Sequence, residues 1–170
     1  MKILTITTPD IENGFGCRVT IWVAGCNRRC PGCHNPHTWS YNQGEELLSD
    51  KVMNKIFNEC NYDYIQGITI SGGDPFDQNE ESLSELLIFI KQFKLQFPSK
   101  DIWIYSGGLY EDFIKNDTIR EILLWSDVLV DGPFIQEKKI LDLPFRGSTN
   151  QRIIDLNKSF LNTMVEIPVE

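Results

Sequence analysis

The feature that most constrains this chain is a junction that recurs four times: a short apolar run passing directly into a loop that contains glycine. RVTIWVA (18–24) leads into GCNRRCPGCH, GITI (67–70) into SGGDP, IWIY (102–105) into SGG, and DVLV (127–130) into DGPF. Their β-branched and aromatic content predicts buried strands. Between them Leu48, Val52, Ile56 and Phe57 recur at helical spacing, as do Leu83, Leu86, Leu87, Ile90, Phe93 and Phe97. Strands that alternate with helices predict a parallel sheet with right-handed crossovers. The unusual loops then all follow strand C-termini, where sites gather in β/α barrels and open α/β sheets alike. A closed eight-stranded barrel takes about 250 residues. The 170 residues here therefore predict a single α/β domain over residues 1–170, an incomplete, open β/α barrel of about five or six mostly parallel strands. An open side suits a large substrate.

Sixteen basic against 24 acidic residues leave a formal charge of −8, which repels phosphate backbones and anionic membrane surfaces. Neither nucleic acid nor a membrane is expected as a partner. The start, MKILTITTPD, has no long apolar core or small-residue cleavage site, and no run approaches the roughly 18–20 apolar residues of a membrane span. A cytoplasmic location is expected.

Three of the five cysteines fall within eight residues, Cys26 to Cys33, where intracellular chemistry favours metal binding over disulfides. Gly25 and Gly32 give this loop the freedom to wrap a metal centre. Three thiolates on a [4Fe-4S] cluster leave one iron corner free for a small molecule. A structural zinc site is the main alternative; it needs a fourth ligand from His34, Cys17 or Cys60, and His34 is strained against its neighbour Cys33. Cys30-Pro-Gly-Cys33-His34 also matches the c-type haem attachment pattern, and Cys30 with Cys33 could form a redox pair, but both readings leave Cys26 without a role. Cys60, on the apolar face of a helix, and Cys17 are expected to be structural.

Cys26-x3-Cys30-x2-Cys33 just after the first barrel strand, followed after the next strand by Gly72-Gly73-Asp74-Pro75, resembles the two signatures of the radical S-adenosylmethionine superfamily. Paired glycines let backbone approach a ligand, although the same residues also make a tight turn with Asp74 as a cap. Gly32 stands where the superfamily often has an aromatic residue, and Asp74 where it has Glu. Both departures narrow the resemblance to the activating proteins of anaerobic ribonucleotide reductases. So do residues 11–18 (IENGFGCR), Thr38-Trp39, residues 100–103 (KDIW), residues 130–134 (VDGPF) and residues 145–152 (FRGSTNQR). The similarity covers about residues 10–153, and a tail of about residues 156–170 carries no assigned role.

The resemblance implies that Cys26, Cys30 and Cys33 ligate one [4Fe-4S] cluster. It also implies that Gly32, the Cys33 backbone and His34 lie against the cofactor S-adenosyl-L-methionine, and that Gly72 and Gly73 line its methionyl end. An external one-electron donor would reduce the cluster. Cleavage would give a 5'-deoxyadenosyl radical that abstracts hydrogen from a glycine of the reductase, so no side chain need serve as catalytic acid or base. An activase of another glycyl radical enzyme, such as pyruvate formate-lyase, would share this chemistry, but the short chain and the FRGSTNQR segment argue against it. A non-catalytic iron-sulfur or zinc module is the alternative of a different class. Asp131 reads equally as a cofactor or cation ligand and as part of an ordinary Asp-Gly-Pro turn. Arg18 and Arg146 read as structural residues, each offering a fork of donors that matches a carboxylate, with partners the sequence does not reveal. Residues 145–152 read either as an edge that meets the reductase or as a loop that closes the fold.

Overall fold

The computed structural model describes residues 1–159 and 163–169. In chain order the elements are β1 (Lys2–Asp10), β2 (Cys17–Val23), β3 (Glu45–Glu46), α1 (Asp50–Cys60), β4 (Ile65–Gly72), α2 (Glu80–Gln96), β5 (Asp101–Tyr105), α3 (Tyr110–Phe113), α4 (Asp117–Leu124), β6 (Val128–Asp131) and β7 (Arg152–Asp155). The strands form one open sheet in the order β3-β1-β2-β4-β5-β6-β7. All four expected strands are present, as β2, β4, β5 and β6, and they pair in parallel.

The expectation of five or six mostly parallel strands needs correction. The sheet has seven strands, and β1–β2, β1–β3 and β6–β7 are antiparallel, half of the pairings. The cause is connection length. Only residues 11–16 join β1 to β2, too few for the crossover that a parallel pair requires. Between β6 and β7 the chain forms no α-helix, so it turns back along its own strand. After β7 residues 163–169 return alongside it, with Asp155 N–H donating to Val165 O and Ile167 N–H to Ile153 O; residues 160–162 and 170 of the tail lie outside the described residues.

Each long helix starts on a polar cap that takes up an otherwise unpaired N–H: Ser49 accepts from Val52 in α1, Asn79 from Ser82 in α2, and Asn116 from Ile119 in α4. Their apolar faces cover one side of the sheet. Val19, Ile21, Val23, Ile68, Ile70, Ile102, Ile104, Leu129 and Ile154 point there and join Val52, Ile56, Leu86, Phe89, Ile90 and Ile122 in the main core. Strand alternation sends the intervening residues to the other side. Among them are Arg18, Thr20, Trp22, Thr69, Ser71, Trp103 and Tyr105, and no helix packs over them.

A plug closes the end of this open side nearest the strand N-termini. Trp103, Val128, Val130 and Ile153 pack with Phe145 and Ile167, and Phe15 meets both Trp103 and Phe145 edge-on. Arg18 is fully buried beneath them, 5.4 Å from the Trp103 ring centre. It donates to Thr69 Oγ1 at 2.7 Å, Phe15 O at 2.9 Å, Ile68 O at 2.7 Å and Asp101 Oδ1 at 2.5 Å. The structural reading of Arg18 fits, and Asp101 is the carboxylate it takes. Among the described residues no helix is long and apolar enough to cross a membrane.

Candidate functional site

Above the plug the open side widens into a cavity of about 580 Å³ at the strand C-termini, lined by Cys26, Cys30, Cys33, His34, Gly72 and Gly73 among others. Of the site residues expected from sequence, only Gly32 does not line it. Gly32 is exposed with φ +71°, and a Cβ there would press on the Gln136 side chain. His34 is exposed at the mouth, its ring 5.6 Å from that of Phe134.

The first half of the cysteine loop is fastened on two sides. Gly25 N–H donates to Thr38 O at 2.7 Å and Cys26 N–H to Trp39 O at 3.2 Å. From the loop after β4, Gly73 N–H donates to Val23 O and Asp74 N–H to Gly25 O, both at 2.9 Å. The Gln78 amide donates to Ala24 O, Gly25 O and Asp74 O, and Asp77 accepts from Asn27 N–H at 2.6 Å. The second half holds mainly to itself, through Cys33 N–H to Cys30 O at 3.1 Å and Asn35 N–H to Cys33 Sγ at 3.4 Å.

This packing gives the paired glycines a reason the sequence does not reveal. Gly72 has φ +110°, and a Cβ on it would lie 2.7 Å from both Val23 N and Val23 O. A Cβ on Gly73 would meet Gly25 O closer than real carbon atoms approach a carbonyl. The two glycines line the cavity, and they also let β4's exit press flat against the root of the cysteine loop.

The sequence offered Asp74 either as the counterpart of the superfamily's Glu or as a turn cap. It does cap, accepting Phe76 N–H at 3.0 Å, but three further donors converge on the same buried carboxylate. Arg28 Nε comes from the cysteine loop at 2.6 Å, Ser106 Oγ from the loop after β5 at 2.6 Å, and Gly107 N–H from that loop at 3.1 Å. Asp74 is 1% exposed. It ties together three of the four glycine loops.

Burial pushes the Cys26 thiol up, hydrogen bonds from the Arg28 and Arg29 backbone N–H groups pull it down, and the charges of Asp74 and Asp77 push it further up. Two buried polar groups on the cavity wall, Trp39 Nε1 and Tyr105 Oη, make no hydrogen bond among the described residues. Burial raises the Tyr105 hydroxyl well above its ordinary pKa. Both are ready-made donors for a polar occupant.

The remaining expectations sort by position. Cys17 opens β2, six residues of strand and roughly 20 Å from the end that leads to Cys26. Cys60 is fully buried in the core, its thiol pushed up to about 12 by burial. Neither stands near the cysteine loop to complete a zinc site. Among the described residues no three His, Cys, Asp or Glu side chains gather tightly enough for a single metal ion. A cluster needs a looser set of thiols, since each binds its own iron.

Asp131 is fully buried and faces the helix side. It accepts Tyr110 N–H at 2.8 Å and takes Arg152 on both oxygens, Nε at 2.8 Å and the Nη2 contact still closer. The turn-and-scaffold reading of Asp131 therefore fits. Arg146 makes no ion pair among the described residues; it reaches Gln151 O at 3.5 Å while its Nε stays buried and unpaired. Gln151 folds the 145–152 segment onto the exit of β6, accepting Gly147 N–H at 2.8 Å and Ser148 N–H at 3.2 Å while donating to Gly132 O at 3.0 Å.

An open α/β sheet with three thiols on one loop beside a polar cavity is the setting of an iron-sulfur protein, and residues 12–154 match the family described as 4Fe-4S single cluster domain. Relatives narrow this. The chain is 39% identical over 155 residues to the anaerobic ribonucleoside-triphosphate reductase-activating protein of Haemophilus influenzae, covering 90% of this chain and 97% of that one. It is 39% identical to the protein of that name from Enterobacteria phage T4, covering 85% and 87%, and 37% identical to that of Escherichia coli K12, covering 84% and 90%. The chain belongs to the family of anaerobic ribonucleoside-triphosphate reductase-activating proteins.

Proposed function

We propose that this chain activates an anaerobic ribonucleotide reductase, acting in the cytoplasm as one domain over residues 1–170, and that its open sheet is a partial barrel of the radical S-adenosylmethionine type. The observation that carries this reading is the convergence of Cys26, Cys30 and Cys33 with Gly72 and Gly73 on one cavity at the strand C-termini. Cys26, Cys30 and Cys33 would hold one [4Fe-4S] cluster, and a three-thiolate set would leave room for S-adenosyl-L-methionine at it. Reduced by an external donor, a cluster and S-adenosyl-L-methionine bound there would supply the radical chemistry that removes a hydrogen atom from a glycine of the reductase.

The chain's own residues bind, orient and shield. The backbone N–H groups of Arg28 and Arg29 stabilise the Cys26 thiolate, and the Gly73 and Asp74 N–H groups hold the root of the ligand loop. Those N–H groups are already spent, so the loop after β4 offers carbonyls, rather than amides, to the amino group of the methionyl end. Trp39 Nε1 and Tyr105 Oη supply donors on the walls. Thr7, Asn13 and Gln151 line the cavity away from the cysteines, where a peptide loop of the reductase enters.

The test is anaerobic reconstitution, followed by S-adenosyl-L-methionine, a reductant and a candidate reductase. The expected results are 5'-deoxyadenosine and a glycyl radical signal by electron paramagnetic resonance. A cluster-loaded protein that yields no 5'-deoxyadenosine would refute the reading.

A further inference from the structure

We propose that Arg28 and Asp74 form a compensated charge pair that positions the ligand loop and sets the reduction potential of the cluster held there. The inference rests on the cluster reading above. Arg28 stands two residues after Cys26 and two before Cys30, so its Cα lies within about 7 Å of either ligand's along the chain. Its side chain lines the cavity beside Gly107 and is held by Asp74 at 2.6 Å. Asp74 belongs to the rigid frame, 1% exposed, with the remaining donors supplied by Phe76, Ser106 and Gly107.

Of the other charged groups, Arg29 lies over the Trp39 ring at 5.8 Å, Asp77 is turned to the Asn27 N–H, and Asp10 and Glu12 line the cavity from the end of β1, Asp10 accepting from the Glu12 N–H and the Asn13 amide. Among the described residues that line the cavity, Arg28 and Asp74 are the pair of opposite charges held in direct contact. A cluster that accepts an electron becomes more negative, so a cation beside it favours reduction and an anion opposes it. Held 2.6 Å apart, the two largely cancel, and removing either exposes the other.

This is a positioning role, since neither side chain is a ligand, and its signature is a pair of opposite shifts. Reconstituted holoprotein is titrated potentiometrically, without S-adenosyl-L-methionine, as wild type, Arg28→Gln, Arg28→Lys, Asp74→Asn and the Gln/Asn double variant. Arg28→Gln should become harder to reduce and Asp74→Asn easier. The double variant and Arg28→Lys should both return close to wild type. A latch with no electrostatic role would instead lower cluster content in Gln and Lys alike. If Asp74→Asn does not fold, the Gln and Lys variants still decide the matter. Cluster present with an unshifted potential in Arg28→Gln overturns the pair alone. No cluster absorbance in the wild type overturns the cluster reading and the pair with it.

Discussion

The two faces of the sheet are made by the same strands, yet they carry opposite chemistry. On the covered face the central strands present isoleucine, valine and leucine to the helices, with Ile21, Ile68, Ile70, Ile102, Ile104 and Leu129 at most 1% exposed. On the open face alternate residues of those strands are Arg18, Thr20, Thr69, Ser71, Trp103 and Tyr105. One face is filled with aliphatic groups that need no partner. Every polar atom on the other needs a partner or a use, and Thr20 Oγ1 and Tyr105 Oη have no hydrogen-bond partner among the described residues. The comparison separates stability from function by strand parity, and substitutions can test how clean that separation is.

The largest expected effect is on the open face, where Cys30→Ala should reduce 5'-deoxyadenosine formation to background. The thiol is half-buried and makes no packing contribution to the core, so the cluster-free variant should unfold within about 0.5 kcal/mol of cluster-free wild type. Iron analysis and chemical denaturation check the two halves. A large loss of stability would show that the site and scaffold are not separable.

Leu86→Ala is the converse. Leu86 in α2 is fully buried in the main core, and truncation should cost about 2–5 kcal/mol. Product formed per cluster should stay near wild type at a temperature where the variant is folded. If turnover per cluster falls steeply, the covered face controls the site more directly than the geometry implies.

Gly73 lies on the boundary between the faces, so Gly73→Ala should disturb both. The new methyl meets Gly25 O, which forces β4's exit away from the cysteine loop. Overpacking of this kind costs about 1–3 kcal/mol, and iron uptake should fall with it. Normal iron content together with weakened S-adenosyl-L-methionine binding would mean that the glycine serves the ligand rather than the loop.

The strand-to-glycine-loop junctions were legible because each is local, and they located β2, β4, β5 and β6 and the Cys26, Cys30, Cys33, His34, Gly72 and Gly73 part of the cavity lining, but not the Thr7, Pro9 and Asp10 wall that β1 supplies. β1 escaped because KILTITTPD alternates apolar with polar residues, the mark of a half-exposed flanking strand, and the loop after it reaches its first glycine only at Gly14, four residues past the strand. β7 escaped because Arg152-Ile153-Ile154-Asp155 has only two apolar residues between charged ends and runs into no glycine loop. α3 and α4 are too short to show several turns of spacing. The role of Asp74 was out of reach for a different reason: its donors Arg28 and Ser106 are 46 and 32 residues away in the chain, and no spacing rule encodes that convergence.

Each face also has an ion-paired cluster around a fully buried charged group, Asp131 on the covered side and Arg18 on the open one, and acid should distinguish them with the smallest effect of all. At the rim of the covered face Arg152 binds Asp131 and reaches Glu111 with a bidentate pair at 2.8 and 2.9 Å. Hydrogen bonds from Arg152 pull the Glu111 carboxyl from its ordinary 4.5 down to about 2. Between those values the unfolded chain binds the proton and the folded chain does not. The Glu111 contribution is therefore present above about pH 4.5 and lost as the pH falls towards 2. On the open face the sign reverses, because burial raises Asp101 above its ordinary 3.8 despite Arg18. In that window the folded state holds the extra proton, and this carboxyl loses stability as the pH rises. Since the Glu111 side chain is 55% exposed, solvent screening limits its share to under about 1 kcal/mol. Denaturation of cluster-free protein between pH 5 and 3 should show Glu111→Gln losing less stability on acidification than wild type, whereas Asp101→Asn should lose more. Salt at about 1 M should shrink the Glu111 difference, since the Debye length falls to about 3 Å. Equal slopes for both variants would mean that the two ion-paired clusters respond to protons alike and that the faces differ in packing only.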